Sequence, residues 1–489
     1  MTLNSPLLPE VKGYIDGAWQ GADDATTFQV TNPATGEVLA EVPAMGPAET
    51  TRAAAAAAAA LEHESDLATR RRWLEAIAAA LEQHREEIGR ILTLEHGKPH
   101  AEGSGEALYA AGFFAYAARH IEALAPRTLE EQPRDCSWTI YQRPAGAVAL
   151  VTPWNFPIGM IAKKLSASLA AGAPAVIKPS AKTPLTLIAL LTLLDRELDL
   201  PSGMVNLVTG AAGPIGDALL SDPHIRVISF TGSTGIGQAL IRGSADGVKR
   251  LALELGGNAP FIVFADADLE HAAEQLIANK FRGGGQTCVC ANRILVEASV
   301  MEPFAERVAE RARQLTVGNG MEPGVDIGPL IDRSGYDKVR RHYLDAIERG
   351  AVSVLGDDPG ALERDYGAYF PPTVIRGVTP QMACWQEETF GPLVPMTAFS
   401  DESQALTLAN DTEFGLAAYL FTADGARAER FIPRLQFPHV GYNTGSGPTP
   451  EAPFGGMKHS GFGREGGLEG LFEFIETQTV PTALKKQRS

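Results

Sequence analysis

From Gly146 onward the 489-residue chain alternates short apolar runs with stretches of helical spacing, and few architectures accept that rhythm. Runs at 148–152, 175–177, 205–208 and 227–230 are separated by helical patterns such as 185–194 and 235–241. Runs apolar on both faces are strands covered from both sides, and strand–helix–strand connections are right-handed. The expectation is a largely parallel sheet between helical layers. Ligands of such sheets sit beyond the carboxyl ends of the strands. Polar strings fall there: Pro153-Trp154-Asn155 after the first run, Lys178-Pro179-Ser180 after the second, Thr231-Gly232-Ser233 after the fourth.

A second alternating region follows Leu253-Glu254-Leu255-Gly256-Gly257-Asn258, with runs at 261–264, 352–355, 394–399 and 417–421. It reads as a second α/β unit, in keeping with a chain too long for one core. Upstream, residues 13–42 read as short strands punctuated by turn dipeptides. The alanine-rich run 53–60 opens a helical region, and one further helix is expected to bury Trp73, Ile77, Leu81, Ile88 and Leu92 as a stripe. The alternating segment 137–142 and the apolar run 472–475 are expected to form a small arm that reaches a neighbouring subunit.

Acidic residues (59) exceed basic ones (42), a net charge of −17, and no long basic run exists. Nucleic acid and anionic membrane surfaces are therefore poor partners. Four cysteines make no disulfide framework, and their spacing is not that of a zinc site, so no metal is expected. The first residues do not read as a leader and no apolar run reaches the ~18 residues of a membrane span. A cytoplasmic location is the expectation.

The string Phe281-Arg282-Gly283-Gly284-Gly285-Gln286-Thr287-Cys288-Val289-Cys290 places Cys288 on a turn with little bulk around the thiol. A thiolate is strongly nucleophilic, although most free cysteines are packing residues, and spacing alone leaves both readings open. Gly232 to Gly237 is a glycine-rich strand-to-helix turn whose N–H groups suit a diphosphate, without the regular dinucleotide fingerprint. Lys178 ends a buried strand. Glu254 is a carboxylate in an apolar strand, where burial would raise its pKa toward that of a general base. The amide of Asn155 suits an oxyanion.

Five strings in one order, Val151-Thr152-Pro153-Trp154-Asn155-Phe156-Pro157, Leu253-Glu254-Leu255-Gly256-Gly257, Gly285-Gln286-Thr287-Cys288, Glu387-Glu388-Thr389-Phe390-Gly391-Pro392 and Pro453-Phe454-Gly455-Gly456-Met457-Lys458, resemble the NAD(P)-dependent aldehyde dehydrogenase superfamily. The resemblance runs from Asn32-Pro33 to Gly463-Arg464-Glu465. Within it, Gln286 to Arg293 and Asn410 to Leu416 look most like succinate-semialdehyde dehydrogenases.

The resemblance implies a Rossmann-like cofactor-binding domain (1–132 and 146–256), an α/β catalytic domain (257–450) and a small β oligomerisation arm (133–145 and 451–489), assembled as a homodimer or homotetramer. It implies that Cys288 forms a thiohemiacetal and then a thioester, that Asn155 and the Cys288 N–H hold the oxyanion, and that Glu254 activates water. An acyl transfer to coenzyme A needs no such base, so Glu254 argues for hydrolysis. On the cofactor side it implies Lys178 and Glu388 at the riboses, Phe390 near the nicotinamide ribose, and Trp154, Gly232 and Ser233 around the diphosphate. Ala181 stands where NAD-preferring relatives commonly have a glutamate, between Ser180 and Lys182, so NADP is expected to serve at least as well as NAD. On the substrate side Arg282 matches one carboxylate-binding arginine, Lys163 stands in place of the second, and Pro448 replaces a serine whose hydroxyl Ser446 or Thr449 would have to supply. Phe156 is expected beside them. An aldehyde with a distal carboxylate, first of all succinate semialdehyde, is the implied substrate, with glutarate semialdehyde or a neutral aldehyde as alternatives. Cys290 is implied to be a resolving thiol for Cys288, or else a packing residue.

Overall fold

The computed structural model describes residues 3–356 and 367–484. Its first large sheet has eight strands, in the order Ala18–Gln20, Gly13–Ile15, Val205–Leu207, Ala175–Lys178, Ala147–Val151, Ile225–Thr231, Arg250–Glu254, Gly461–Phe462. The five strands from Val205–Leu207 to Arg250–Glu254 run parallel. Antiparallel strands close both edges. Chain order reverses between Ala147–Val151 and Ile225–Thr231, and a crevice opens at such a point beyond the strand ends. The strings around Asn155 and Gly232 leave those two strands.

Helix Pro157–Ala171 explains much of the site. Proline opens it, Gly172 closes it at φ 73°, and every residue of it is buried. Glu106, on the neighbouring helix His100–His120, accepts from the N–H groups of Ile158 (3.1 Å) and Gly159 (3.0 Å), satisfying donors that the first turn leaves open. Lys98 donates to the other Glu106 oxygen at 2.6 Å and to the Asn155 carbonyl at 2.7 Å, fixing the chain just before the helix.

The second sheet has seven strands in the order Val352–Leu355, Thr373–Arg376, Leu393–Phe399, Ala291–Glu297, Ala259–Val263, Ala417–Phe421, His439–Tyr442, with only the first antiparallel. The cysteine turn joins helix Leu269–Lys280 to strand Ala291–Glu297. The expected α/β architecture with two parallel-rich sheets is present.

Two expectations change. The stripe from Trp73 to Leu92 belongs to two helices, Leu67–Gln83 and Arg85–His96, because His84 leaves helical geometry at φ −100°, ψ 13°. The tail strand is Ile475–Ala483, beyond the apolar run at 472–475, and it pairs with Cys136–Pro144 along nine residues. That strand is exposed almost throughout, so no hydrophobic alternation marks it. No helix among the described residues is long and apolar enough to cross a membrane.

Candidate active site

Cys288 is held by a turn that only glycine can make. Gly283, Gly284 and Gly285 take φ of 59°, 66° and 77°. A Cβ on Gly285 would stand 2.3 Å from the Gly391 carbonyl, and one on Gly257 would stand 2.3 Å from the Cys288 carbonyl. The glycines thus let three chain segments close on the thiol. Gln286 pins the turn, its amide donating to the Gly283 carbonyl (3.0 Å) and accepting from the Ile331 N–H (3.0 Å).

The Asn155 amide donates to the Gln286 carbonyl at 2.9 Å, which sets it beside the cysteine turn. Burial, and after it the Glu254 charge, push the Cys288 thiol up to about 12. A thiol in this setting is held neutral, and acting as a nucleophile would require a base beside it. Glu254 ends its strand in a buried position, with no hydrogen-bond partner for either carboxylate oxygen. Burial and the facing Glu465 carboxylate raise its pKa, against the opposing charges of Lys163 and Lys164.

Two cavities meet at Cys288. The smaller, about 240 Å³, is mostly apolar, with Phe156, Met160, Val289, Pro448 and Phe454 in its wall and Lys163, Arg282, Glu102, Glu106, Tyr109 and Thr287 among its polar members. Arg282 lies over the Phe156 ring, 5.2 Å from its centroid. Glu102 accepts from the Gly283 N–H at 2.8 Å. Thr449 does not line this cavity; it is exposed and its hydroxyl turns to Glu451. Lys163 does line it, but its ammonium faces Glu254 and Glu465, each at 3.8 Å, instead of standing free.

The larger cavity, about 340 Å³, runs along the strand ends past Trp154, Asn155, Lys182, Gly232, Ser233, Glu388 and Phe390. An apolar cleft next to it contains Lys178. Lys178 is buried with no hydrogen-bond or ion-pair partner among the described residues, and burial lowers it to about 8. A buried cation with nothing to bind suits the hydroxyls of a ribose. Glu388 accepts from the Gly257 N–H (3.1 Å), and burial lifts its carboxyl to about 7. Phe390 is held at φ 58°, a conformation rare for a bulky residue, with its ring edge-on to Trp154 at 5.6 Å. These residues fit a nicotinamide dinucleotide. Ser180 and Ala181 line neither cavity, the Ser180 hydroxyl accepting from the Lys182 N–H (3.2 Å), while the Lys182 ammonium pairs with Asp332 and lies over Trp154.

The structure thus brings Cys288 and Asn155 to the junction, with Glu254 buried close enough to act on the Cys288 thiol while lining neither cavity. Glu388, Phe390, Trp154, Gly232 and Ser233 lie on one side, Lys178 in the adjoining cleft, and Arg282, Lys163 and Phe156 on the other. Sequence reading did not single out Glu102, Tyr109, Met160 or Lys338, nor the pairing of Lys164 with Glu465. Glu102 and Glu106, four apart on one helix, were a visible signal for two of the carboxylates that surround the smaller cavity.

A thiol on a glycine turn between a mostly apolar cavity and a dinucleotide-sized cleft, with a buried carboxylate close by, is the arrangement of a cysteine-dependent dehydrogenase. Residues 19–480 match the aldehyde dehydrogenase family, and the chain belongs to that family. It is 42% identical to the glutarate-semialdehyde dehydrogenase of Pseudomonas aeruginosa, covering 97% of this chain and 98% of that one. Its identity to the NADP(+) succinate-semialdehyde dehydrogenase of Escherichia coli is also 42%, over 97% and 98%. The crystal structure of an oxidoreductase from Marinobacter aquaeolei superposes with a TM-score of 0.96 at 58% identity, over 98% of this chain and all of that one.

Proposed function

We propose that the enzyme oxidises a short aldehyde with a distal anionic group to the carboxylic acid, with succinate semialdehyde as first choice and NADP accepted at least as well as NAD. The observation that carries this reading is Arg282: it lines the cavity wall, and no carboxylate is within ion-pair distance of it among the described residues. A guanidinium that has only a phenylalanine face and no ion pair in the wall of a mostly apolar cavity favours a ligand that brings its own negative charge. The P. aeruginosa and E. coli relatives are named for such semialdehydes.

In this reading the Cys288 sulfur bonds to the aldehyde carbon and its proton passes to Glu254. The Asn155 amide and the Cys288 N–H hold the oxyanion, worth about 3 kcal/mol per well-placed donor. A nicotinamide bound in the larger cavity supplies the hydride acceptor. Once the thiol proton has left Glu254 for solvent, Glu254 takes a proton from water as the water oxygen bonds to the thioester carbon; the carbon–sulfur bond then breaks, Glu254 returns the proton to the Cys288 sulfur, and the acid is released. Lys178 and Glu388 would hold the riboses, and the Ser180 hydroxyl with Lys182 would meet a 2′-phosphate that Ala181 does not repel. The unit of residues 1–132 and 146–256 carries the cofactor in this scheme, 257–450 the nucleophile, and 133–145 with 451–489 the contacts of a homodimer or homotetramer in the cytoplasm. The exposed strand Ile475–Ala483 and the exposed Phe472 and Leu484 support such contacts.

Arg282→Ala is expected to raise KM for succinate semialdehyde about tenfold or more, the usual value of a charge-assisted contact, and to leave KM for butanal nearly unchanged. Steady-state assays of both aldehydes decide it. Equal effects on the two would remove the anionic substrate.

A further inference from the structure

Of the two cations in the wall of the substrate cavity, only one is available to a ligand. The Lys163 ammonium sits 3.8 Å from Glu254 Oε2 and 3.8 Å from Glu465 Oε2, with side-chain exposures of 2%, 5% and 7% for the three groups. It also lies over the Phe454 ring at 4.6 Å from the centroid. The other oxygen of Glu465 is taken by Lys164, which donates to the Ser229 hydroxyl at 3.0 Å as well. Lys164 is therefore committed to Glu465, and Lys163 is the only cation within ion-pair distance of Glu254 among the described residues.

Two carboxylates facing each other in a water-poor pocket repel, and one of them tends to keep a proton. An ammonium shared between them relieves that repulsion at the base itself. We infer that Lys163 is a positioning residue for the general base, favouring the ionised form of Glu254 against the facing Glu465, and that Arg282 alone meets the distal anion of the substrate. The inference rests on Glu254 being the base, and it does not depend on which aldehyde is physiological.

The groups around Lys163 come from every packed element. Glu254 comes from its strand, Glu465 from the tail, Cys288 from the turn, Tyr109 from helix His100–His120, His439 from its own strand and Lys164 from the same helix. Behind them stand Glu473 next to Glu465, and Glu388 next to Cys288. Burial alone would lower Lys163, but the negative groups outweigh it and raise its pKa. It is thus charged throughout the working range. The sign follows: removing the ammonium raises the pKa of Glu254 further, so turnover is lost at a higher pH as acid is added.

The test is the pH profile of kcat in Lys163→Gln and Lys163→Arg, using butanal and succinate semialdehyde in parallel. In Lys163→Gln the acid limb of kcat is expected to move up by about one pH unit for both aldehydes, as for a carboxylate losing a nearby cation. The KM ratio of the two aldehydes is expected to stay within about twofold of the parent, and Lys163→Arg to bring the limb back. An unmoved limb overturns the inference. So does a collapse of the KM ratio, which would make Lys163 the reader of the substrate anion. Lys163→Met, unbranched and of similar length, serves if the glutamine variant does not fold. Glu254→Gln run alongside separates the two levels, because unchanged turnover in that variant would remove the base and this inference with it.

Discussion

The two cavities that meet at Cys288 treat charge in opposite ways. On the cofactor side the buried charged groups are left unspent: Lys178, in the adjoining apolar cleft, has no ion-pair or hydrogen-bond partner among the described residues, and Glu388 holds only one backbone N–H, whereas the part-exposed Lys182 is paired with Asp332. On the substrate side the charges are mostly consumed within the protein, Lys98 by Glu106 and Lys163 by Glu254 and Glu465, which leaves Arg282 over its phenylalanine. A cleft with unspent charges is built for one constant ligand. A cavity whose charges are paired internally changes its preference when a single pairing changes. This is why the reaction class is far better fixed than the choice among semialdehydes.

The largest expected effect strikes the junction itself. Glu254→Gln keeps the shape of the site but removes the proton acceptor, so kcat is expected to fall by about 10³, within the range for loss of a general base. If the base serves mainly the water step, rapid mixing will still show a burst of about one reduced cofactor per site, followed by a stalled thioester. A loss of the burst along with turnover would instead place the indispensable proton transfer at Cys288, whose thiol stands near 12. Either result assigns the base to one of the two cavities, and unchanged turnover would deny it to both.

This division also decides how much was legible in the sequence. Cys288, Asn155 and Glu254 lie in short contiguous strings because each is positioned by its own turn or strand end, and the strings carry the geometry with them. The alternating apolar runs disclosed the sheets for the same local reason. The counter-charges of Lys163 were not legible, since Glu465 lies about three hundred residues away and reaches it only through the fold. The resemblance put a β arm in the tail, but the bounds of strand Ile475–Ala483 did not show in the hydrophobic pattern, because the strand is exposed almost throughout. His84 broke an otherwise continuous helical stripe, and backbone breaks of that kind carry no hydrophobic signature.

On the cofactor side the comparison is sharpened by Lys182. Its ammonium is shared between Asp332 and the face of Trp154, so this cation is already committed to a carboxylate. Lys182→Ala is expected to lower kcat/KM for NADP about fivefold and to change the value for NAD by less than twofold, the modest loss proper to a part-exposed ion pair. Measuring both cofactors against one aldehyde decides it. Equal losses would mean that Lys182 shapes the cleft through Asp332 and Trp154 without reading a 2′-phosphate, and a parent enzyme more than tenfold better with NAD would remove the NADP reading altogether.

The smallest effect on catalysis is expected from Cys290, which faces neither cavity. Its sulfur lies 3.3 Å from the Gly285 carbonyl and 3.9 Å from Lys280, buried under the same glycine turn that presents Cys288. Burial pushes its thiol pKa up, and Lys280 opposes that rise without reversing it. Cys290→Ala should therefore change kcat by less than about twofold, as a small truncation outside the reacting groups. Its role would appear only after oxidation. Peroxide converts the Cys288 thiol to a sulfenic acid and releases water; the Cys290 thiol then displaces the hydroxyl group, forming the disulfide and a second water. Because the Cys290 N–H is tied to the Thr287 carbonyl at 3.1 Å, the two residues stay on one tight turn while this happens. The parent enzyme, treated with peroxide and then with dithiothreitol, is expected to recover most of its activity, whereas Cys290→Ala goes on to irreversible acids and recovers little. Equal recovery in the two proteins would leave Cys290 as packing under the turn, and the contrast at Cys288 would then be one of charge alone, with no redox guard on the nucleophile.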